Sequence, residues 1–133
     1  MAAYLGIDPA TRTGLALIVD ATTVRTRRVC IPADDHAAHV AALAEIIGDA
    51  TVARAGIETQ YIGRHAGAGL SVVMHRAAWD AACADIGIDV AHMAPDEWRR
   101  YTVPTVRGRD AAKQAQRAWA LRKFGADVSD DEA

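Results

Sequence analysis

The amino-acid sequence predicts an α/β fold built on one mixed β-sheet. Three short strand patterns come first, joined by turns that fit antiparallel pairing. Two more strand patterns follow, and each is preceded by a helical pattern long enough to serve as a crossover. The predicted order is therefore βββαβαβα(α). With 133 residues, we expect one domain over residues 1–133 with a core that needs no disulfide.

The first three strands are predicted from apolar runs and period-two alternation. "AYLGID" (3–8) is a short apolar run that ends in an acid, and "LALIVD" (15–20) follows the turn "PATRTG". "TVRTRRVCI" (23–31) alternates apolar or β-branched residues with Arg, as expected of a half-exposed strand. These segments predict an antiparallel meander at the start of the chain.

The middle of the chain alternates helices with strands. Asp34 and Asp35 can cap a helix over "HAAHVAALAEIIGDA" (36–50), and "VARAGIE" (52–58) is a buried strand that ends at Glu58. The loop "TQYIGRHAGAG" precedes a predicted helix, "LSVVMHRAAWDAACADIG" (70–87), and "IDVAHM" (88–93) is the fifth strand. The two helices provide the crossovers that parallel strands require.

The last third of the chain is predicted to be helical and basic. A helix over "PDEWRRYT" leads to the loop "VPTVRGR" and a helix over "DAAKQAQRAWALRKFG", and "VSDDEA" has the Ser129/Glu132 capping-box pattern of one more helix start. Residues 99–123 contain eight of the 15 Lys and Arg residues, although the net charge of the chain is −2. This segment predicts a cationic surface able to bind a polyanion.

The cysteines and the apolar runs bear on where the protein works. Cys30 and Cys83 lie far apart in apolar runs, so we expect two buried, reduced thiols. No apolar run reaches the roughly 18 residues of a membrane span, and the N-terminus lacks the pattern of a signal peptide. We therefore predict a cytoplasmic protein.

Two carboxylates at strand ends indicate the site. Asp8 ends the first strand and Glu58 ends the fourth, and strands one and four can be neighbours in this topology. Either acid alone is more commonly a turn cap or a solvated carboxylate, but two adjacent acids repel unless a cation lies between them. A third carboxylate from a helix start would complete an all-oxygen site, which Mg²⁺ or Mn²⁺ prefers over Zn²⁺.

Four motifs carry a resemblance to a known family. "GIDPATRTGLAL", "GIETQYIGRHAGAGLSVVMHRAAWDAA", "GRDAAKQAQRAWALRKFG" and "SDDEA", in this order and spacing, resemble RuvC-type Holliday junction resolvases, especially their phage relatives. The resemblance implies a ribonuclease H-like fold, with a mixed five-stranded sheet and helices on both faces. It also implies a homodimeric, metal-dependent endonuclease that cleaves branched DNA, with two Mg²⁺ ions (Mn²⁺ as the alternative) in each complete active site.

The resemblance places the family's catalytic and metal-binding acids on Asp8, Glu58 and Asp131. Their fourth partner would be position 134, so the resemblance implies a form without its last helix that binds metal weakly and cleaves poorly. Lys113 matches a catalytic lysine near the scissile phosphate, and a solvated helix lysine is the alternative. The residues implied to bind DNA are Tyr61, Arg64, Arg107, Arg109 and Lys113.

Other interpretations remain open. Core packing is the alternative for Tyr61, and surface solubility is the alternative for the three arginines. A nuclease of the YqgF type acting on RNA would have the same fold and size, but Glu58 followed by Tyr61 favours a resolvase. A non-catalytic domain that binds branched DNA by charge alone is the third possibility. The long helix that contains Trp79 is the predicted dimer interface.

Overall fold

The computed structural model describes residues 2–59 and 66–93, with positions 114 and 118 as isolated helical residues. Within these ranges it has five strands and two helices. The elements are β1 (Ala3–Asp8), β2 (Thr13–Ile18), β3 (Val24–Val29), α1 (His36–Ile47), β4 (Val52–Glu58), α2 (Ala66–Asp85) and β5 (Val90–Met93). The helices predicted beyond residue 93, with Trp98 and Trp119, lie outside the described residues.

The strands form one mixed sheet in the order β3-β2-β1-β4-β5. The first three strands pair antiparallel, whereas β4 pairs parallel with β1, and β5 pairs parallel with β4. The predicted meander and the predicted contact between the first and fourth strands are therefore confirmed. The crossovers to β4 and β5 run through α1 and α2, as parallel pairing requires.

Both described helices pack on the same face of the sheet. Leu5 and Ile7 of β1 point to this face, where they meet Leu43 of α1 and Trp79 of α2 in one buried cluster. Strand β1 alternates buried and exposed residues along its whole length, because successive side chains point to opposite faces. Burial of each large apolar side chain contributes about 1.5–3 kcal/mol. Trp79 is fully buried, so it belongs to the core.

Local hydrogen bonds account for the limits of α1. The Asp35 carboxylate accepts a hydrogen bond from the backbone N–H of Ala38, at 3.1 Å, and so caps the helix as predicted. The helix ends before Gly48, which has φ of 58°, a left-handed conformation that glycine adopts without steric cost. Gly48 N–H donates back to the carbonyl of Ala44 at 3.0 Å.

The predicted boundaries of β2, β3, α1, α2 and β5 were wrong by one to four residues. Strand β2 covers 13–18 rather than 15–20, because Gly14 pairs with Asp8 and the Asp20 carboxylate binds the backbone N–H groups of Thr22 and Thr23 in a tight turn. These hydrogen bonds lower the pKa of Asp20, and the hydrogen bond from the Thr22 backbone N–H has the largest effect. Helix α2 begins at Ala66, four residues before the predicted start, so the end of the predicted glycine-rich loop is helical.

The two cysteines differ in exposure. Cys83 is buried, and burial, followed by the nearby charge of Asp80, raises the pKa of its thiol to about 11. The prediction that both thiols are buried was wrong for Cys30, which is exposed. Cys30 directly follows Val29, the last residue of an edge strand.

Among the described residues, no helix has the length and hydropathy needed to cross a bilayer.

Candidate metal and nucleic-acid site

The structure brings Asp8 and Glu58 together at one end of the sheet. The last residues paired between β1 and β4 are Ile7 and Ile57, and Asp8 and Glu58 follow directly on the two strands. Neighbouring strands lie about 4.8 Å apart, so the two acids occupy adjoining positions. Since Ile7 and Ile57 are buried in the core, alternation turns both acids to the opposite face of the sheet.

Backbone pairing holds each of the two acids on its outer side. Asp8 pairs with Gly14 of β2, and Glu58 pairs with Met93 of β5. One residue beyond Glu58, the N–H of Thr59 donates to the carbonyl of Met93 at 2.8 Å. The acids therefore lie on paired strands in the middle of a five-stranded sheet, which is a more rigid support than a loop.

The turn after Asp8 is tied to the core by a residue that the sequence reasoning did not identify. The Thr13 hydroxyl donates to the carbonyl of Ala10 at 2.8 Å and accepts from the indole N–H of Trp79 at 3.1 Å. Both Thr13 and Trp79 are almost fully buried. A threonine closing a turn on its own backbone is a common local pattern, but its tryptophan partner lies 66 residues away.

Gly14 is the β2 neighbour of Asp8 and has no side chain. A Cβ atom built at position 14 would lie 3.8 Å from the Cβ of Asp8, so any longer side chain at 14 would stand beside the carboxylate. With glycine there, position 14 places no side chain beside the Asp8 carboxylate. Glycine at this position is thus compatible with a site that must admit a bulky substrate.

The donor chemistry fits a hard divalent cation in part. Asp8 and Glu58 offer carboxylate oxygens at adjoining positions, as Mg²⁺ and Mn²⁺ prefer. Within residues 2–59 and 66–93, no group of three or more His, Cys, Asp or Glu side chains could hold a metal. The third predicted ligand, Asp131, lies outside the described residues, as do the other predicted site residues, Tyr61, Arg64, Arg107, Arg109 and Lys113.

Comparison with solved structures identifies the fold. Thermus thermophilus RuvC in complex with a Holliday junction substrate superposes with a TM-score of 0.76 at 18% sequence identity, over 98% of this chain and 85% of that chain. This chain has the fold of RuvC. A second Thermus thermophilus RuvC structure gives a TM-score of 0.73 at 17% identity, over the same shares of the two chains. No protein-family model and no curated protein sequence matches the chain.

The RuvC fold confirms the predicted fold class. The mixed five-stranded sheet with an antiparallel meander is the ribonuclease H-like arrangement expected from the four motifs. The helices expected on the second face of the sheet lie outside the described residues. At 17–18% identity, the similarity to RuvC shows the fold alone, so the roles of individual residues stay predictions.

Proposed function

We propose that this chain is a divalent-metal-dependent endonuclease that cleaves branched DNA, with Holliday junctions as its substrate. The observation that carries the proposal is the position of Asp8 and Glu58, which follow the last paired residues of two parallel strands and point away from the core. The RuvC fold supports it, because one of the matching structures is of RuvC with a Holliday junction substrate.

Asp8 and Glu58 would hold the metal on the face of the sheet that is opposite the core. When bound, divalent ions supply positive charge to a phosphodiester and to the water that attacks it. The two carboxylates would bind the metal and orient it. Strand pairing fixes the backbone of Asp8 on its β2 side and the backbone of Glu58 on its β5 side. The Thr13 hydrogen bonds hold the turn after Asp8. Asp131 is the proposed third ligand.

The DNA contacts are proposed for the residues that follow these strand ends and for the basic C-terminal segment. Tyr61 would stack on an unpaired base. Arg64, Arg107 and Arg109 would bind phosphates, which makes affinity fall steeply with salt. Lys113 would place a point charge near the scissile phosphate.

A homodimer is proposed because resolving a four-way junction requires two cuts related by two-fold symmetry. Helix α2 is the proposed interface. Its outer face exposes Leu70 and Met74, with 57% and 61% of their surfaces accessible, and residues four apart lie on one side of a helix. Exposed Ala77 and Ala81 continue the same apolar side.

The test is a nicking assay on a synthetic four-way junction with Mg²⁺ or Mn²⁺. Asp8→Asn keeps the shape of the side chain and removes its charge, so we expect nicking to fall by at least about 100-fold, the scale of losing a group that acts on the transition state. Junction binding should persist, because it depends on cationic residues elsewhere.

Asp49→Asn is the matched control, because Asp49 is an exposed acid just before β4, at the other end of the sheet. It should nick at the rate of the unmodified chain. Nicking that survives in Asp8→Asn, or that falls equally in both variants, would contradict the proposal. Junction binding without any metal-dependent nicking by the unmodified chain would instead favour a non-catalytic DNA-binding protein.

A further inference from the structure

The arginines of β3 divide between the two faces of the sheet. Arg25 and Arg27 lie on the core side, where the Arg25 guanidinium donates to the last carbonyls of α1 and Arg27 forms an ion pair with Glu45. Arg28 is the next residue on the strand, so its side chain points to the opposite face. This is the face that bears Asp8 and Glu58.

Strand register places Arg28 level with the two acids. Arg28 pairs with Gly14, and Gly14 pairs with Asp8. Arg28, Gly14, Asp8 and Glu58 therefore form one row across the sheet on four adjacent strands. Two strand spacings separate the backbones of Arg28 and Asp8, about 10 Å, and the glycine between them has no side chain to intervene.

The chemistry of this row suits a phosphate diester. A guanidinium binds two phosphate oxygens at once through parallel N–H donors, which a lysine ammonium does not. Arg28 is partly buried, and an arginine can cover apolar surface with its aliphatic stem while its charged head reaches a ligand. A DNA strand whose phosphate lies at Asp8 and Glu58 would pass over Gly14 with another phosphate near Arg28.

We infer that Arg28 is a DNA-phosphate contact that positions the cleaved strand on the β3 side of the site. The inference rests on the proposed function and extends it, because it adds a contact outside the basic segment 99–123. It also gives the cleaved DNA strand a path across the sheet, which runs between Glu58 and the β3 edge and passes over Asp8 and Gly14.

The experiment measures the salt dependence of four-way-junction binding by fluorescence anisotropy, with EDTA present so that neither metal nor cleavage contributes. Each phosphate contact adds about 0.9 to the slope of log affinity against log salt. Arg28→Gln should therefore lower the slope by about 1 and weaken binding between about 50 and 200 mM salt. Arg28→Lys retains the charge and should keep the slope of the unmodified chain.

Arg54→Gln is the matched control. Arg54 is an exposed arginine that pairs with Tyr4 near the other end of the sheet, on the same face and four residues before Glu58, roughly 13 Å along the strand. Its slope should equal that of the unmodified chain. Thermal unfolding of each variant shows whether it is folded, and Arg28→Met removes the charge in a second way if Arg28→Gln does not fold.

An unchanged slope in Arg28→Gln, or an equal loss in Arg54→Gln, would overturn the inference. The result is independent of the nicking assay. A lower slope in Arg28→Gln without Asp8-dependent nicking would refute the proposed catalysis and support the Arg28 contact. Asp8-dependent nicking with an unchanged slope in Arg28→Gln would support the catalysis and refute the Arg28 contact.

Discussion

The hydroxyl of Thr13 joins the turn after Asp8 to helix α2. It bridges the carbonyl of Ala10 and the buried indole N–H of Trp79. Thr13→Val keeps the shape but leaves both groups without this partner, and a buried unsatisfied group costs about 1–3 kcal/mol. We expect Thr13→Val to lower the free energy of urea unfolding by that amount, and Thr13→Ser, which keeps the hydroxyl, to lower it by less. Equal stability of the two variants would refute this role.

At the scale of single residues, the sequence predicted the acids better than their supports. Asp8 and Glu58 were identified because each ends a strand pattern, and local pattern is enough to find such positions. Thr13 and Arg28 were not, because their significance depends on pairing between distant segments. Trp79 lies 66 residues from Thr13, and the position of Arg28 level with Asp8 follows from the register of three strands.

Two arginines of β3 contact α1, and we expect them to contribute unequally to the free energy of unfolding. Arg25 donates to the carbonyls of Ile46 and Ile47, both at 3.2 Å, which are among the last carbonyls of α1 and lack partners within the helix. Arg27 forms an exposed ion pair with Glu45, and exposed pairs contribute about 0–1 kcal/mol.

We therefore expect Arg25→Met to destabilise the protein by about 1 kcal/mol and Arg27→Met by less. Guanidinium-induced unfolding would mask an ion pair, so urea is the denaturant to use, at low and high salt. The Arg27 effect should shrink more than the Arg25 effect at high salt. A larger loss in Arg27→Met than in Arg25→Met would reverse this ranking.

At the scale of elements, the order of strands and helices was predictable, but some boundaries were not. β1 and β4 were predicted to the residue, since apolar runs end there in acids. β2 was displaced by two residues because Thr13 and Gly14, which have the composition of a turn, are paired in the sheet. α2 begins within a glycine-containing stretch, where intrinsic helix propensity is low.

The proposed homodimer makes a prediction for the whole molecule. Replacing Leu70 and Met74 of α2 with Asp would place two charges in the proposed apolar interface, where unpaired charges are costly. We expect this double variant to sediment as a monomer at concentrations where the unmodified chain sediments as a dimer. Tyr4→Asp is the control, because Tyr4 is 55% exposed on the other face of the sheet. A double variant that still sediments as a dimer would exclude this helix as the interface.

We propose that Asp8 and Glu58 hold the same metal ion, and Mn²⁺ binding followed by electron paramagnetic resonance measures this shared coordination. The variants are Asp8→Asn, Glu58→Gln and the combination of both. We predict that each single change weakens Mn²⁺ binding by more than about tenfold, the loss that even a supporting partner of a metal ligand can cause. The combined variant should bind Mn²⁺ little worse than the weaker-binding single variant, because the effects of changing two groups that hold the same ion are not additive. Mn²⁺ affinity that is unchanged in either single variant, or losses that multiply in the combined variant, would show that the two carboxylates do not hold one ion.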